Sequence, residues 1–221
     1  MLWWIASAFF AWLAFREVCY RYVPRPGYPL PNPESSIAYG VVLALVSLAL
    51  AYTPIRYWLF ERSLTQKARV LSENTIAHVH CNTIADTFFD RNVFAVGHAQ
   101  FETGRIVLQY PWCARLMEHI RRPERPTDEQ LFAMQIFAHE AMHIRGERDE
   151  AKTECQALQR FARASALFGI PDDVGKANGL NYYNNYYQSR AQHGEMSSQY
   201  YSAECAPGKA LDERLPDSIW R

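Results

Sequence analysis

From Ser35 to Ile55 the chain runs 21 residues without a charged side chain, with VVLALVSLALA inside the run and Glu34 and Arg56 at its borders. A helix rises 1.5 Å per residue, so about 20 apolar residues cover the ~30 Å hydrocarbon core of a bilayer. Tyr52, Tyr57 and Trp58, beside Arg56 and Arg62, supply the aromatic and basic flank of a membrane interface. The run therefore predicts a transmembrane helix. A second uncharged run, Met1 to Phe15, is 15 residues long and ends at Arg16. It predicts a second span that crosses by tilting or by thinning the bilayer, with Arg16 snorkelling to the surface. It lacks the basic start and small-residue cleavage site of a secretory signal. Between the two runs, Arg16 to Ser36 holds Pro24, Pro26, Pro29, Pro31 and Pro33, the composition of a stiff, extended linker.

This divides the chain into an anchor, residues 1–62, and a folded domain, residues 63–221. The formal net charge of zero is a cancellation: the anchor carries 5 basic and 3 acidic side chains, leaving 18 and 20 for the domain. A mildly acidic domain without a basic stripe excludes nucleic acid as a partner, and the partner of the anchor is membrane lipid. Four of the five cysteines (Cys81, Cys113, Cys155, Cys205) fall in the domain, whereas Cys19 falls in the linker. An even set suits disulfides in an oxidising compartment. With two spans, the expected placement is a cell-membrane protein whose domain is extracytoplasmic.

Within the domain, Thr75–Cys81, Val93–Gln100 and Arg105–Tyr110 read as strands, the last two joined by Phe101-Glu102-Thr103-Gly104 as a hairpin turn. A short helix follows from Trp112 to Ile120. Thr127 with Gln130 fits a capping box that starts a helix running to Arg145 and stopping at Gly146. Asp149 caps a further helix ending before Gly169-Ile170-Pro171, another covers residues 175–192, and the tail from Ala206 is loop-like. The expected class is α+β: a small antiparallel sheet plus helices around the Thr127–Arg145 helix.

That helix contains His139-Glu140-Ala141-Met142-His143. Residues four apart share a helix face, so both imidazoles can reach one metal ion, while Glu140, turned by about 100°, stands beside it. Such a site suits Zn2+, which lowers the pKa of a water towards 7 while the carboxylate takes its proton. Three carboxylates compete for the third ligand position. Asp149 completes HExxHxxGxxD, a metzincin-like spacing, but the strongly helical sequence after it departs from that pattern. Glu150 and Glu154 share one face of the next helix. An antiparallel helix pair turning near Glu147 puts Glu154 level with the gap between the histidines and Glu150 nearer the turn, so simple geometry prefers Glu154.

At this motif the chain resembles a zincin-type metallopeptidase of the gluzincin kind, in which HExxH precedes a helix bearing a Glu ligand and, four residues on, a supporting acid or amide. Glu150-Ala151-Lys152-Thr153-Glu154 is similar to that element. The resemblance implies Glu150 as ligand and Glu154 as support, the reverse of the geometric preference. The block HEAMHIRGERDEAKTECQALQ, with Cys81, Cys113 and ECAPGKALD, also resembles bacterial membrane-tethered or secreted zincin-like proteins over residues 76–221. It implies a zincin-like fold and the pairs Cys81–Cys113 and Cys155–Cys205. His78 and His80 share a strand face as a candidate second site, and His98 is a candidate neighbour of the helix. Tyr183, Tyr186, Tyr187, His193, Tyr200 and Tyr201 are candidate donors to an oxyanion. The expected function is a membrane-anchored zinc metallopeptidase acting on a peptide or protein substrate, with Glu140 as general base. An edge strand (Val93–Gln100) would bind the extended peptide by strand addition. The alternative is a non-catalytic membrane protein whose metal site is structural or absent.

Overall fold

A computed structural model describes residues 2–22, 33–192 and 199–221. The chain divides into two compact units, Met1–Phe60 and Glu61–Arg221. Helix α1 (Leu2–Tyr22) and the first part of α2 (Pro33–Ser72) make up the described part of the first unit. They run antiparallel, as two polar contacts show. Ser7 donates from Oγ to the Ser47 carbonyl at 3.0 Å and Ser47 returns the bond at 2.9 Å, while Ser36 donates to Glu17 at 2.7 Å. Small hydroxyl residues of this kind hold apolar helices together where water is absent. Around them the pair is apolar and exposed, as at Trp3, Phe9, Trp12, Phe15, Val42, Leu45 and Leu48.

Among the described residues one helix, Ser36–Ser72, is long and apolar enough to cross a membrane, and only 22% of its most apolar stretch is buried. A helix from a soluble core would be mostly buried, so the exposure favours lipid as its surroundings. The second expected span is not supported. Arg16 and Glu17 interrupt α1, and Trp3, Trp4 and Trp12 are amphipathic rather than strongly apolar. The linker is also shorter than expected, because Arg16–Tyr22 belongs to α1 and Pro33–Ser36 to α2, which places Cys19 in a helix. Pro24, Pro26, Pro29 and Pro31 lie outside the described residues.

In the second unit α2 changes character. From Glu61 it becomes amphipathic, burying Leu64, Ala68 and Leu71 at helical spacing. Then follow β1 (His78–Cys81), α3 (Ile84–Phe89), β2 (Gly97–Gln100), β3 (Arg105–Leu108), α4 (Trp112–Arg121), α5 (Asp128–Arg145), α6 (Glu150–Gln159), α7 (Phe161–Leu167) and α8 (Asp172–Tyr182). The class is α+β, mostly helical, but the sheet is mixed rather than antiparallel. Its order is β1-β3-β2, with β1 parallel to β3 and β2 antiparallel to it. The parallel pairing arises because α3 carries the chain from β1 before β2 begins, so β3 can insert between them. The hairpin turn forms as predicted: Gly104 has φ +71°, and a Cβ there would lie 2.6 Å from the Ile76 carbonyl oxygen. The strands are shorter than read from sequence, since Val93–Val96 is a turn.

Helix α5 is the centre of the unit. Thr127 and Gln130 form the capping box, and every residue from Ala133 to Ile144 is buried. The helix after Asp149 breaks at Arg160 into α6 and α7, and α8 starts at Asp172 and continues through a π-helical turn to Gln192. The break has a cause in the packing. Arg160 is 1% exposed and turns to pair with Glu213 at 2.5 Å, next to Arg163 on Asp217. These ion pairs strap the C-terminal tail over α6 and α7.

Two disulfides, Cys81–Cys113 and Cys155–Cys205, fasten β1 to α4 and α6 to the tail. They cross-link residues 32 and 50 apart in sequence, and closing loops of that length in the unfolded chain contributes about 3–4 kcal/mol each. Replacing Cys155 and Cys205 together by Ser is expected to lower unfolding free energy by about that amount, read from the urea midpoint of the otherwise intact protein.

Candidate metal centre

His139 and His143 are one helical turn apart on α5, and α6 crosses beside them. The loop after Gly146 is short, and the Asp149 carboxylate accepts from the Lys152 amide at 2.8 Å, capping α6. Asp149 thus serves as the cap and is not in the converging group, and Glu150 becomes the first helical residue. From there its carboxylate reaches the histidine pair. His139 Nε2 and His143 Nε2 are 3.0 Å apart, and Glu150 Oε2 lies 3.0 Å from the first and 3.3 Å from the second. The three residues form a group able to hold a metal ion. Metal–ligand bonds of about 2 Å at tetrahedral angles separate ligand atoms by roughly 3.3 Å, close to these values.

The outward-facing nitrogens settle the tautomers. His143 Nδ1 lies 2.8 Å from the Glu147 carbonyl oxygen, which can only accept, so that nitrogen carries the proton. His139 Nδ1 lies 2.8 Å from Glu154 Oε2, a carboxylate. In the neutral imidazoles both Nε2 atoms therefore present lone pairs to each other and to the Glu150 carboxylate. Three acceptors converging in a largely buried corner repel one another unless a proton or a cation joins them. This donor set fits a divalent metal.

Glu154 stands behind the site, not in it. Simple helix-pair geometry favoured it as the ligand, but α6 crosses α5 so that Glu154 lies level with Gln135, whose side-chain amide donates to its carbonyl at 3.2 Å. Its side chain is 3% exposed against 37% for Glu150. One oxygen accepts a hydrogen bond from His139 Nδ1, and the other accepts from Tyr182 Oη at 3.0 Å and Arg190 Nη1 at 2.9 Å. Burial alone would raise its pKa, but Arg190 and His139 outweigh that and hold it at about 2. Glu150 is held at about 2 chiefly by its hydrogen bonds to His139 and His143. Burial disfavours charge on His139, yet the hydrogen bonds it donates to Glu150 and Glu154 lift its pKa to about 10.

Glu140 is 4% exposed, its Oε2 has no hydrogen-bond partner among the described residues, and burial raises its pKa. Strand β2 passes it closely: a Cβ at Gly97 would lie 3.0 Å from Glu140 Oε1. Only glycine lets the strand approach the carboxylate so nearly.

Of the aromatic candidates, Tyr200 is the one set against a ligand. Its ring lies 5.7 Å from that of His139, and burial, followed by the charges of Glu150 and Glu140, raises its pKa. Tyr183, Tyr187 and Tyr201 stack on one another, Tyr187 is tied to Ser202, and Tyr186 packs on Tyr182. His193 lies outside the described residues. His98 faces Asp90 at 4.0 Å and His80 pairs with Glu61 at 2.9 Å, while His78 contacts the Ile76 carbonyl, so none of the three joins the metal group. Sequence reasoning missed Tyr182, Arg190 and Gly97. The tyrosine-rich stretch around Tyr182 was a visible signal; Arg190 carried none.

The chain matches no protein-family model, no curated protein and no solved structure.

Two outcomes follow from this geometry. Glu154→Gln keeps the shape but not the charge that orients His139, and is expected to weaken divalent-metal binding about 10–100-fold in a chelator competition. Because His139 holds a proton up to a pKa of about 10, metal must displace it. Affinity then rises with pH, by about tenfold per unit for each proton released, and is lost as pH falls. Chelator titrations at pH 6, 7 and 8 check the slope.

Proposed function

We propose that this protein is a membrane-anchored zinc hydrolase of peptide bonds, of the gluzincin kind, with its second unit outside the cytoplasm. The observation that carries the reading is the pairing of three convergent candidate ligands with a buried carboxylate, Glu140, whose Oε2 has no hydrogen-bond partner among the described residues. His139, His143 and Glu150 would supply three protein donors to a zinc ion, the number found at catalytic rather than structural zinc sites. Had Glu154 also turned inward, the site would be closed and the structural alternative favoured.

When bound, zinc would act as a Lewis acid that polarises the scissile carbonyl and lowers the pKa of water. The protein's own residues supply the rest. Glu140 accepts the proton of the attacking water at Oε2 and delivers it to the leaving amine. Burial raises its pKa, which strengthens the carboxylate as a base. Tyr200, whose ring lies 5.7 Å from that of His139, is the tyrosine we assign as donor to a developing oxyanion. Glu154 keeps His139 in the tautomer that binds metal. Strand β2 is an edge of the sheet and runs past Glu140 at Gly97, so an extended peptide added along it would bring its backbone to the carboxylate.

The two disulfides support an oxidising compartment for the second unit, and α2 supports a membrane anchor.

Glu140→Gln is expected to leave zinc stoichiometry and melting temperature unchanged while lowering kcat/KM on an unstructured peptide by about 10²–10⁴. His143→Ala is expected to lose the metal. Undiminished hydrolysis by Glu140→Gln would overturn the mechanism, and a metal-free wild-type protein would overturn the site.

A further inference from the structure

The second unit carries a cluster of large apolar side chains that no described residue of the unit covers. Ile84, Phe88 and Phe89 of α3 are 65%, 74% and 82% exposed, and Phe94 in the following turn is fully exposed. Helix α3 buries no residue at all. The stretch is nevertheless well fastened. Thr83 and Asp86 form a capping box, Asn82 donates to Asp90 at 3.0 Å and to Gln109 at 2.8 Å, and the Tyr110 amide donates to Thr87 at 2.9 Å. The polar groups point back into the unit while the apolar ones point away. Such a patch marks a surface that meets something apolar.

Its position says what. The Cys81 amide donates to Glu61 at 2.7 Å, and His80 also pairs with Glu61, so the end of β1 from which α3 departs lies beside the first residue of the unit. Glu61 in turn follows Ile55, the last residue of the uncharged run, by six residues. Six residues reach at most about 21 Å even when fully extended. If α2 spans a bilayer, chain length keeps Glu61, and with it the end of β1 from which α3 departs, within that reach of the end of the uncharged run.

We propose that residues 84–94 form a second membrane contact, in which Phe88, Phe89 and Phe94 enter the interfacial region of the bilayer that α2 crosses. The occupant is lipid. With Asp86, Asp90 and Arg91 as its charges, the stretch has no basic excess, so entry is apolar and does not require anionic headgroups. The inference rests on the membrane-anchor reading and is independent of catalysis.

The test uses the full chain with Cys19→Ser and either Phe94→Cys or Glu102→Cys, labelled with an environment-sensitive fluorophore and reconstituted into phosphatidylcholine vesicles. Position 102 lies in the hairpin turn at the other end of the sheet and serves as the water-exposed reference. The expected result is blue-shifted emission at 94 but not 102, quenched by a lipid nitroxide near the headgroup and protected from aqueous iodide. Equal, water-like emission at both positions in protein that floats with the vesicles overturns the inference and leaves the anchor standing. Blue-shifted emission that lipid nitroxide does not quench assigns the patch to protein and overturns it. So does a disulfide between unlabelled Phe94→Cys copies, which assigns it to a second copy. Wild-type protein that fails to float overturns the anchor and the inference together.

Discussion

The Glu154 carboxylate, 3% exposed, is the interaction on which the second unit depends. It ties α6 to His139 of α5, to Tyr182 at the end of α8, and to Arg190 in the turn beyond. A buried charge is costly unless each lone pair is satisfied, and here three donors from three elements satisfy it. Removing any one leaves a charge in a low dielectric. The same carboxylate therefore fixes the packing of helices distant in sequence and the orientation of the imidazole that faces Glu150. Arg190 stacks over Tyr200 as well, at 5.5 Å, which carries the network round to the open side of the centre.

What was legible in the sequence is what depends on neighbours a few residues apart. The capping box at Thr127 and Gln130, the stop at Gly146, the cap at Asp149 and the shared face of His139 and His143 are all set by helical periodicity, and the structure has each of them. The hairpin glycine at 104 belongs to the same kind. Which acid faces the histidine pair was not legible from periodicity, since Glu150 and Glu154 share a helix face. The choice depends on the register at which α6 crosses α5, and that is set by packing against Gln135 and by Tyr182 and Arg190. The parallel placement of β1 could not be read for a related reason: sheet order is a matter of tertiary packing. The break at Arg160 depends on an ion pair to a residue more than fifty positions away.

The anchor shows the reverse balance. Its apolar length was plain, and α2 has it, but residue counting overestimated α1, whose uncharged run is cut by Arg16 and Glu17. The reciprocal bonds of Ser7 and Ser47 were invisible to hydropathy, because an isolated serine in an apolar run reads only as a small polar interruption.

One property of the metal group bears on how the protein is made. Its three ligands lie within twelve residues, from His139 to Glu150, across a single helix–loop–helix. Loop-closure entropy grows with the logarithm of the separation, so bringing these atoms together costs little compared with closing the contacts to Tyr182 or Arg190. The ligand set is a local structure, while its reinforcement is non-local. During synthesis the ligands leave the ribosome well before the residues that lock them, and local contacts form faster than distant ones. The chain thus separates formation of a metal-binding corner from its rigidification, with the C-terminal segment, strapped down through Cys205, Glu213 and Asp217, closing the assembly last.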